Sequence, residues 1–178
     1  MLNPLSLKGV LENKQIEEVK MTPEEVYNYL LPLFKRKIEE ISENEIKCIL
    51  ETSYSAEMPQ LFPIPYFGEG EVVTYDYGEL VALCPITTLT DLYRSIITFI
   101  PDNYVCELKS LRFYYLAYRT LPISHELLAS KIYTEFKRAV KPKKLNLKLG
   151  VSVRGGITTT IELGNKIDML NFNQKICL

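Results

Sequence analysis

The strict alternation of residues 144–163, "KLNLKLGVSVRGGITTTIEL", is the feature that most constrains the fold of this chain. Apolar side chains occupy every second position at Leu145, Leu147, Leu149, Val151 and Val153, and the residues between them are mostly polar. A period of two is that of a β-strand with one buried face. The Gly155-Gly156 pair is typical of a two-residue hairpin turn. The stretch therefore predicts a hairpin whose Val153 lies on the buried face.

The segments before this hairpin predict two more strands and two helices. A proline breaks the chain after each predicted helix, and Ser124 is suited to cap the second one. An earlier helix opens with a capping box at Thr22 and Glu25, and Pro32 is expected to kink it. The predicted strands are 72–83 and 92–100, the helices are 22–42, 104–120 and 125–140, and a linker rich in turn residues covers 55–71.

The order strand, strand, helix, helix, strand, strand indicates an α+β fold with two helices on one face of a four-stranded sheet. We expect residues 1–45 to form an N-terminal helical extension, residues 46–164 the catalytic domain, and residues 165–178 a C-terminal tail. Long alternating strands at the open edges of such a sheet favour pairing with neighbours. A closed ring of identical subunits is therefore expected.

Composition excludes several classes of protein. The net charge of −1 gives no global attraction to a polyanion. The four cysteines contain no CxxC pair and the chain has one histidine, so no metal site is predicted. No apolar run is long enough for a transmembrane helix, and the first residues do not resemble a signal peptide. We expect a cytoplasmic protein without a membrane partner.

Several side chains are candidates for chemistry, and each also has a plain structural reading. Cys84 stands in "ALCPITTLTDLY", seven residues before Asp91, although a lone cysteine is more often a small buried hydrophobe. His125 and Glu126 begin a predicted helix, where an acidic residue simply suits the helix dipole. Lys109 could belong to a solvated helix face. Taken singly, these residues decide nothing.

Taken together, "CPITTLTD", "ELKSLRFY" at 107–114, "HE" at 125–126 and "RGG" at 154–156 resemble a known family. They are similar to the NADPH-dependent 7-cyano-7-deazaguanine reductases, the QueF-type nitrile reductases of queuosine biosynthesis and tRNA modification. Six of the eight positions of the family's cofactor motif conform. Arg112 stands where the family has lysine, and Phe113 stands where it has leucine or tyrosine. The resemblance covers about residues 80–163.

The resemblance implies the tunnelling fold shared with GTP cyclohydrolase I, in which such units form homo-oligomeric rings, with stacked pentamers as one form. It implies that Cys84 adds to the nitrile as a thioimide-forming nucleophile, which divides one difficult reduction into easier steps. Asp91 is then the acid/base, and His125 assists proton delivery or orients the substrate.

The same resemblance implies the binding residues. Glu126 accepts from the N–H and amino group of the deazapurine in a bidentate way, and Glu107 and Ser110 line the base pocket. Two NADPH molecules are the cofactor. The anionic part of NADPH is expected to bind to Lys109, Arg112, Arg154 and Gly155.

Two alternatives remain open. Archaeal relatives keep the cysteine, the aspartate and the HE pair and act as amidinotransferases, which convert the nitrile base in tRNA to archaeosine. The basic stretch 137–148, "KRAVKPKKLNLK", would suit such an RNA partner, or it is an ordinary helix end. A ring protein that binds purines or pterins without catalysis is the second alternative. The persistence of "ELKSLRFY" and "RGG" favours the reductase.

Overall fold

The computed structural model describes residues 21–34 and 41–167. Two helices, four strands, two helices and two strands follow one another in an α+β arrangement, and a 3-10 turn, Tyr118–Thr120, follows the third of the described helices. The helices are α1 (Pro23–Phe34), α2 (Glu43–Tyr54), α3 (Leu108–Ala117) and α4 (His125–Val140). The strands are β1 (Pro63–Pro65), β2 (Val73–Leu83), β3 (Thr90–Ile100), β4 (Tyr104–Cys106), β5 (Lys144–Arg154) and β6 (Ile157–Gly164).

The main sheet has four strands in the order β2-β3-β5-β6, and every neighbouring pair is antiparallel. Along β3, each odd-numbered residue from Asp91 to Phe99 is buried and its neighbours are at least partly exposed. This face packs against the helices, where Tyr115, Leu128 and Phe136 are fully buried. The predicted order of two strands, two helices and two strands is confirmed.

Two short strands interrupt that predicted order. β1 lies in the predicted linker and pairs antiparallel with β4, which occupies the start of the predicted helix 104–120. The helix begins instead at Leu108, because the side chain of Glu107 accepts from the backbone N–H groups of the first turn. The prediction was therefore wrong for residues 104–107.

A bulge near the end of β5 overturns the prediction for Val153. Val151 pairs with Thr159, but Arg154 rather than Val153 pairs with Ile157, so β5 holds one extra residue at this point. An extra residue reverses the alternation beyond it. As a result, Val153 is 64% exposed, and the side chain of Arg154 reaches Asp91 on the helix-covered face.

The N-terminal part forms two separate helices rather than one. Thr22 and Glu25 make the expected capping hydrogen bonds, and Pro32 lies inside α1. Ser42 is not helical, because its side chain caps α2 in a capping box with Glu45. The predicted helix 22–42 is thus wrong at its end, and residues 35–40 lie outside the described part. The predicted domain boundary after residue 45 falls within α2.

Lys131 on α4 anchors the end of α2. This lysine is 5% exposed, and its Nζ donates to the carbonyls of Tyr54 at 2.7 Å and Ala56 at 2.9 Å. Glu135 is its ion-pair partner at 3.0 Å. A buried ammonium requires such partners, so a specific polar contact holds the end of α2 to α4.

No helix in the described ranges has the length and apolar character needed to cross a bilayer. The predicted tail, 165–178, is described only as far as residue 167.

Candidate active site

Backbone hydrogen bonds bring the start of α4 beside the end of β2. The N–H of Leu83 donates to the carbonyl of Leu121 at 3.1 Å, and the N–H of Ile123 donates to the carbonyl of Leu83 at 3.0 Å. Ser124 then caps α4 through the N–H of Leu127. Cys84 follows β2 directly, and His125 is the first residue of α4. They therefore lie at the same end of the sheet, although more than thirty residues separate them in the sequence.

Cys84 lies in a tight turn that presents donors to its sulfur. The N–H of Thr88 donates to the carbonyl of Cys84 at 2.9 Å, and Thr88 takes a positive φ of 57°. Burial, the largest single effect, raises the pKa of the half-buried Cys84 thiol. Hydrogen bonds from the hydroxyl and N–H of Thr87, the N–H of Ile86 and the side chain of Arg154 together outweigh burial, so the pKa is lowered. A thiol with a lowered pKa is a better source of the nucleophilic thiolate.

Asp91 is a buried carboxylate with one charged partner. It faces Ala82 across the β2–β3 ladder and is 1% exposed. Its oxygens accept no hydrogen bond from the described residues, and the Arg154 guanidinium forms an ion pair with Oδ1. An isolated buried charge is costly, so Arg154 is what allows a carboxylate at this position.

Arg154 was predicted to bind the anionic part of the cofactor. In the structure its guanidinium contacts Asp91 and Cys84, and Nη2 also donates to the carbonyl of Thr90 at 3.3 Å. The bulge in β5 is what turns the side chain to this position. The next residue, Gly155, has a φ of 54° and Gly156 a φ of 83°, which a hairpin turn with two left-handed residues requires. Cofactor roles for Arg154 and Gly155 stay predictions.

Tyr93 joins His125 and Glu126 to the cysteine. Its hydroxyl lies 2.9 Å from Nδ1 of His125. Burial raises the pKa of Tyr93, and the negative charges of Cys84 and Glu126 add to this rise, so both groups lie close enough to act on the phenol. Cys84, Asp91, Tyr93, His125 and Glu126 thus form one cluster, which we call the Cys84 cluster and which Arg154 completes.

Glu107 and Ser110 have local structural roles at the start of α3. The Glu107 carboxylate accepts from the N–H of Lys109 at 2.8 Å and of Ser110 at 2.6 Å. These backbone hydrogen bonds, that of Lys109 first, lower the pKa of Glu107. The Ser110 hydroxyl donates to the Glu107 carbonyl at 2.7 Å and accepts from the N–H of Phe62 at 3.0 Å. Their predicted place in a base pocket stays a prediction.

Arg112 lines a surface cleft of about 580 Å³ between α3 and the first part of β2. Its lining includes the aromatic rings of Tyr75, Tyr77 and Tyr115, and Arg112 is its basic residue beside the acidic Asp76 and Glu79. The tyrosines suit an aromatic ring, and Arg112 suits a phosphate group. Glu79 at its edge lies roughly 16 Å from Cys84 along the strand, at about 3.3 Å per residue. Within one chain the structure therefore does not bring Arg112 into the Cys84 cluster.

Sequence reasoning missed two members of this region. Tyr93 lies in the predicted strand 92–100, which begins one residue after Asp91. Because the strand begins at Thr90 in the structure, its period of two puts both side chains on one face. Thr87 gave no such signal, because its hydrogen bond to Cys84 depends on the turn geometry. In the described ranges no group of three or more His, Cys, Asp and Glu side chains is arranged to hold a metal ion.

Comparison with known proteins supports the resemblance. The sequence model of the family described as QueF-like protein matches residues 91–168. The NADPH-dependent 7-cyano-7-deazaguanine reductase of Chloroherpeton thalassium is 40% identical over 105 residues, which are 59% of this chain and 90% of the relative. That of Thermotoga petrophila is 33% identical over 103 residues, 57% of this chain and 75% of the relative.

A solved structure shares the fold. The crystal structure of the archaeosine synthase QueF-Like in the apo form aligns with a TM-score of 0.51 at 22% identity, over 55% of this chain and 95% of that one. At this identity the likeness concerns the fold alone. The sequence matches go further: the chain belongs to the family of the NADPH-dependent 7-cyano-7-deazaguanine reductases, which are enzymes.

Proposed function

We propose that this protein reduces the nitrile of 7-cyano-7-deazaguanine to the aminomethyl group, in the cytoplasm, for queuosine biosynthesis. The observation that carries the proposal is the lowered pKa of the Cys84 thiol, which is caused by hydrogen bonds from its turn and from Arg154. The same arginine forms an ion pair with the buried carboxylate of Asp91. A nitrile carbon is the electrophile that such a thiolate attacks. The relatives at 33% and 40% identity carry the reductase name.

Cys84 and Asp91 have complementary tasks in the first step. The sulfur forms a bond to the nitrile carbon, and the nitrile nitrogen gains the proton that the thiol gives up, which yields a thioimide. Asp91 accepts and returns this proton, and Arg154 compensates its charge while it is ionised. NADPH, when bound, supplies the hydrides, two per nitrile. After the first reduction, the nitrogen lone pair forms a C=N bond while the C–S bond breaks and its electron pair leaves on sulfur. This gives an imine for the second reduction and frees Cys84 as a thiolate for another nitrile.

The binding residues act before this chemistry. Glu126 lies at the positive end of α4, next to His125 and within electrostatic reach of Tyr93. Its carboxylate is suited to accept two hydrogen bonds from the N–H and amino group of the deazapurine. Lys109 and Arg112 on α3 would hold the phosphates of NADPH, with the aromatic cleft beside them for a ring.

A ring of subunits with the tunnelling fold is part of the proposal. The sheet ends in two edges, β2 and β6. Near the Cys84 cluster four large apolar side chains are more than half exposed, namely Leu89, Leu92, Val153 and Ile157. Open edges and exposed apolar groups at one end of a sheet are what neighbouring subunits cover. Light scattering at micromolar concentration should give a multiple of the subunit mass, and a monomer would refute the ring.

An assay with the free base tests the function. Protein, 7-cyano-7-deazaguanine and NADPH are mixed, and the absorbance of the reduced cofactor is followed together with the amine product. We expect two NADPH molecules oxidised per amine formed, no activity in Cys84→Ala, and unchanged activity in Cys48→Ala, a cysteine on α2.

The archaeosine reaction is the outcome that would replace the proposal. It is favoured if no NADPH is consumed and if a tRNA that carries the nitrile base gains an amidine when ammonia is supplied. The likeness to the archaeosine synthase rests on the fold, whereas the sequence matches carry the reductase name. The reductase is therefore our conclusion.

A further inference from the structure

The hydrogen bond between Tyr93 and His125 has a direction that the surroundings decide. Tyr93 is 3% exposed on β3, and its ring meets the imidazole edge-on with centroids 5.6 Å apart. Its hydroxyl and Nδ1 of His125 lie 2.9 Å apart, and either atom could in principle donate. The question is which atom carries the proton.

The phenol is the donor. Burial and the neighbouring negative charges of Cys84 and Glu126 raise the pKa of Tyr93, so the hydroxyl keeps its proton. In the described ranges the hydroxyl makes no hydrogen bond other than the one to His125. If Nδ1 donated, the buried O–H would point at no acceptor, which is an unfavourable arrangement. Nδ1 therefore accepts, and the neutral imidazole carries its proton on Nε2.

The location of this proton restricts what His125 can do. The described residues offer Nε2 no hydrogen-bond partner, so Nε2–H is available to a bound molecule. A neutral imidazole is a very weak acid at ordinary pH, because complete transfer of this proton would leave an anion. It can, however, hold and polarise an acceptor through a hydrogen bond without giving the proton up.

We propose that Tyr93 is a positioning residue that fixes His125 as its neutral Nε2–H tautomer, and that His125 serves the reaction as a hydrogen-bond donor to the substrate rather than as a proton source. The second half of this proposal rests on the proposed function. The first half concerns the protein without substrate. Proton transfer during reduction then belongs to Asp91 and not to the imidazole.

The single histidine makes a direct test possible. Protein labelled with ¹⁵N in its histidine gives the ring signals of His125 alone, since the chain has one histidine. At alkaline pH, where the imidazole is neutral, the spectrum of the wild type should show Nε2 protonated and Nδ1 as the acceptor. A proton on Nδ1 would overturn the proposal, and this measurement needs no variant that has to fold.

Tyr93→Phe removes the hydroxyl and keeps the ring. It should change the tautomer ratio by roughly three- to tenfold, the effect of one neutral hydrogen bond. Tyr114→Phe is the matched control, because it also removes a buried hydroxyl, one that bonds to Tyr118 at 2.7 Å. The control should leave the imidazole signals unchanged. An unchanged spectrum in Tyr93→Phe, or an equal change in both variants, would contradict the role of Tyr93.

Kinetics separate the donor from a proton source. If His125 only donates a hydrogen bond, Tyr93→Phe should raise KM or lower kcat without adding an imidazole ionisation to the pH profile of kcat. An alkaline loss of wild-type activity that follows the imidazole titration seen by NMR would show that His125 gives up a proton, and would overturn the donor role. If no NADPH is oxidised at all, the proposed function fails while the tautomer result stands.

Discussion

Two arginine–aspartate pairs meet β3 on its opposite faces, and their difference shows how burial creates a functional site. On the outer face, Arg94 and Asp76 form a bidentate ion pair, in which Nε lies 2.8 Å from Oδ1 and Nη2 lies 2.6 Å from Oδ2. Their side chains are 65% and 40% exposed. Asp91, three residues before Arg94, pairs with Arg154 and is 1% exposed. The outer pair has better geometry, but water can replace it. The inner carboxylate is shielded from water, and among the described residues Arg154 is its only cationic partner.

The surroundings of the pairs differ in the same way. The Arg94 pair lies beside the surface cleft, which Asp76 helps to line. In the inner pair, Arg154 also forms a hydrogen bond with the Cys84 thiol and helps to lower its pKa. A charge that is poorly solvated acts strongly on its neighbours. Arg154 therefore acts on both Asp91 and Cys84, whereas Arg94 has only Asp76 as an ion-pair partner among the described residues. The comparison predicts unequal responses to the same substitution.

The largest effect is expected for Arg154→Ala. It leaves Asp91 buried without its partner, and we expect a loss of about 3 kcal/mol in the free energy of unfolding. Arg94→Ala is the matched control and should leave that free energy unchanged within error. Urea denaturation at one fixed protein concentration measures both. Equal losses in the two variants would remove the distinction between the pairs, and Arg154→Lys should recover part of the loss.

A smaller effect is expected for the turn around Cys84. Among the hydrogen bonds that lower the pKa of this thiol, those of Thr87 contribute more than that of Arg154. Thr87→Val removes the hydroxyl donor and raises the pKa, so the thiolate fraction at neutral pH should fall roughly three- to tenfold. The rate of alkylation of the Cys84 peptide across pH measures this.

The matched reference for that experiment is Cys106. Burial raises the pKa of this thiol to about 11, and it is 1% exposed. In the native wild type, alkylation of Cys84 should therefore begin at lower pH than alkylation of Cys106. A Thr87→Val profile identical to that of the wild type would show that the turn does not control the thiol.

The smallest effect is expected for Glu107→Ala at the start of α3. The side chain accepts from two N–H groups of its own first turn, so its loss should lower the melting temperature slightly. It should not change the alkylation of Cys84, since the two sites are separate within one chain. If Glu107→Ala abolishes substrate binding while the fold is kept, the predicted base-pocket role is correct and the capping role is secondary.

The sequence predicted those elements whose conformation is determined by interactions between residues close together in the chain. The helix His125–Val140 begins after Ser124, as this capping residue predicts. The hairpin turns at Gly155-Gly156, because the turn needs two residues with a positive φ and glycine adopts such angles readily. The predicted start of α3 was four residues too early, since nothing in the sequence shows that the Glu107 side chain caps the helix from outside rather than belonging to it.

The sequence predicted most members of the Cys84 cluster but not Tyr93, and it did not predict the contacts between them. The motifs named Cys84, Asp91, His125 and Glu126, but not what joins them. That depends on a bulge in β5 that turns Arg154 inward, and on backbone pairing between Leu83 and residues 121–123. Both are long-range features without a periodic signal, and for that reason the contacts of Arg154 with Asp91 and Cys84 could not be predicted.

The most direct test of the account is the mass of the protein after incubation with 7-cyano-7-deazaguanine and no NADPH. Addition of the Cys84 thiolate precedes reduction, so the wild type should gain the mass of one substrate per chain. Cys84→Ala should gain none, and Cys48→Ala should behave as the wild type. An equal gain on Cys84→Ala, or no gain on the wild type with substrate in excess, would contradict the claim that Cys84 is the nucleophile.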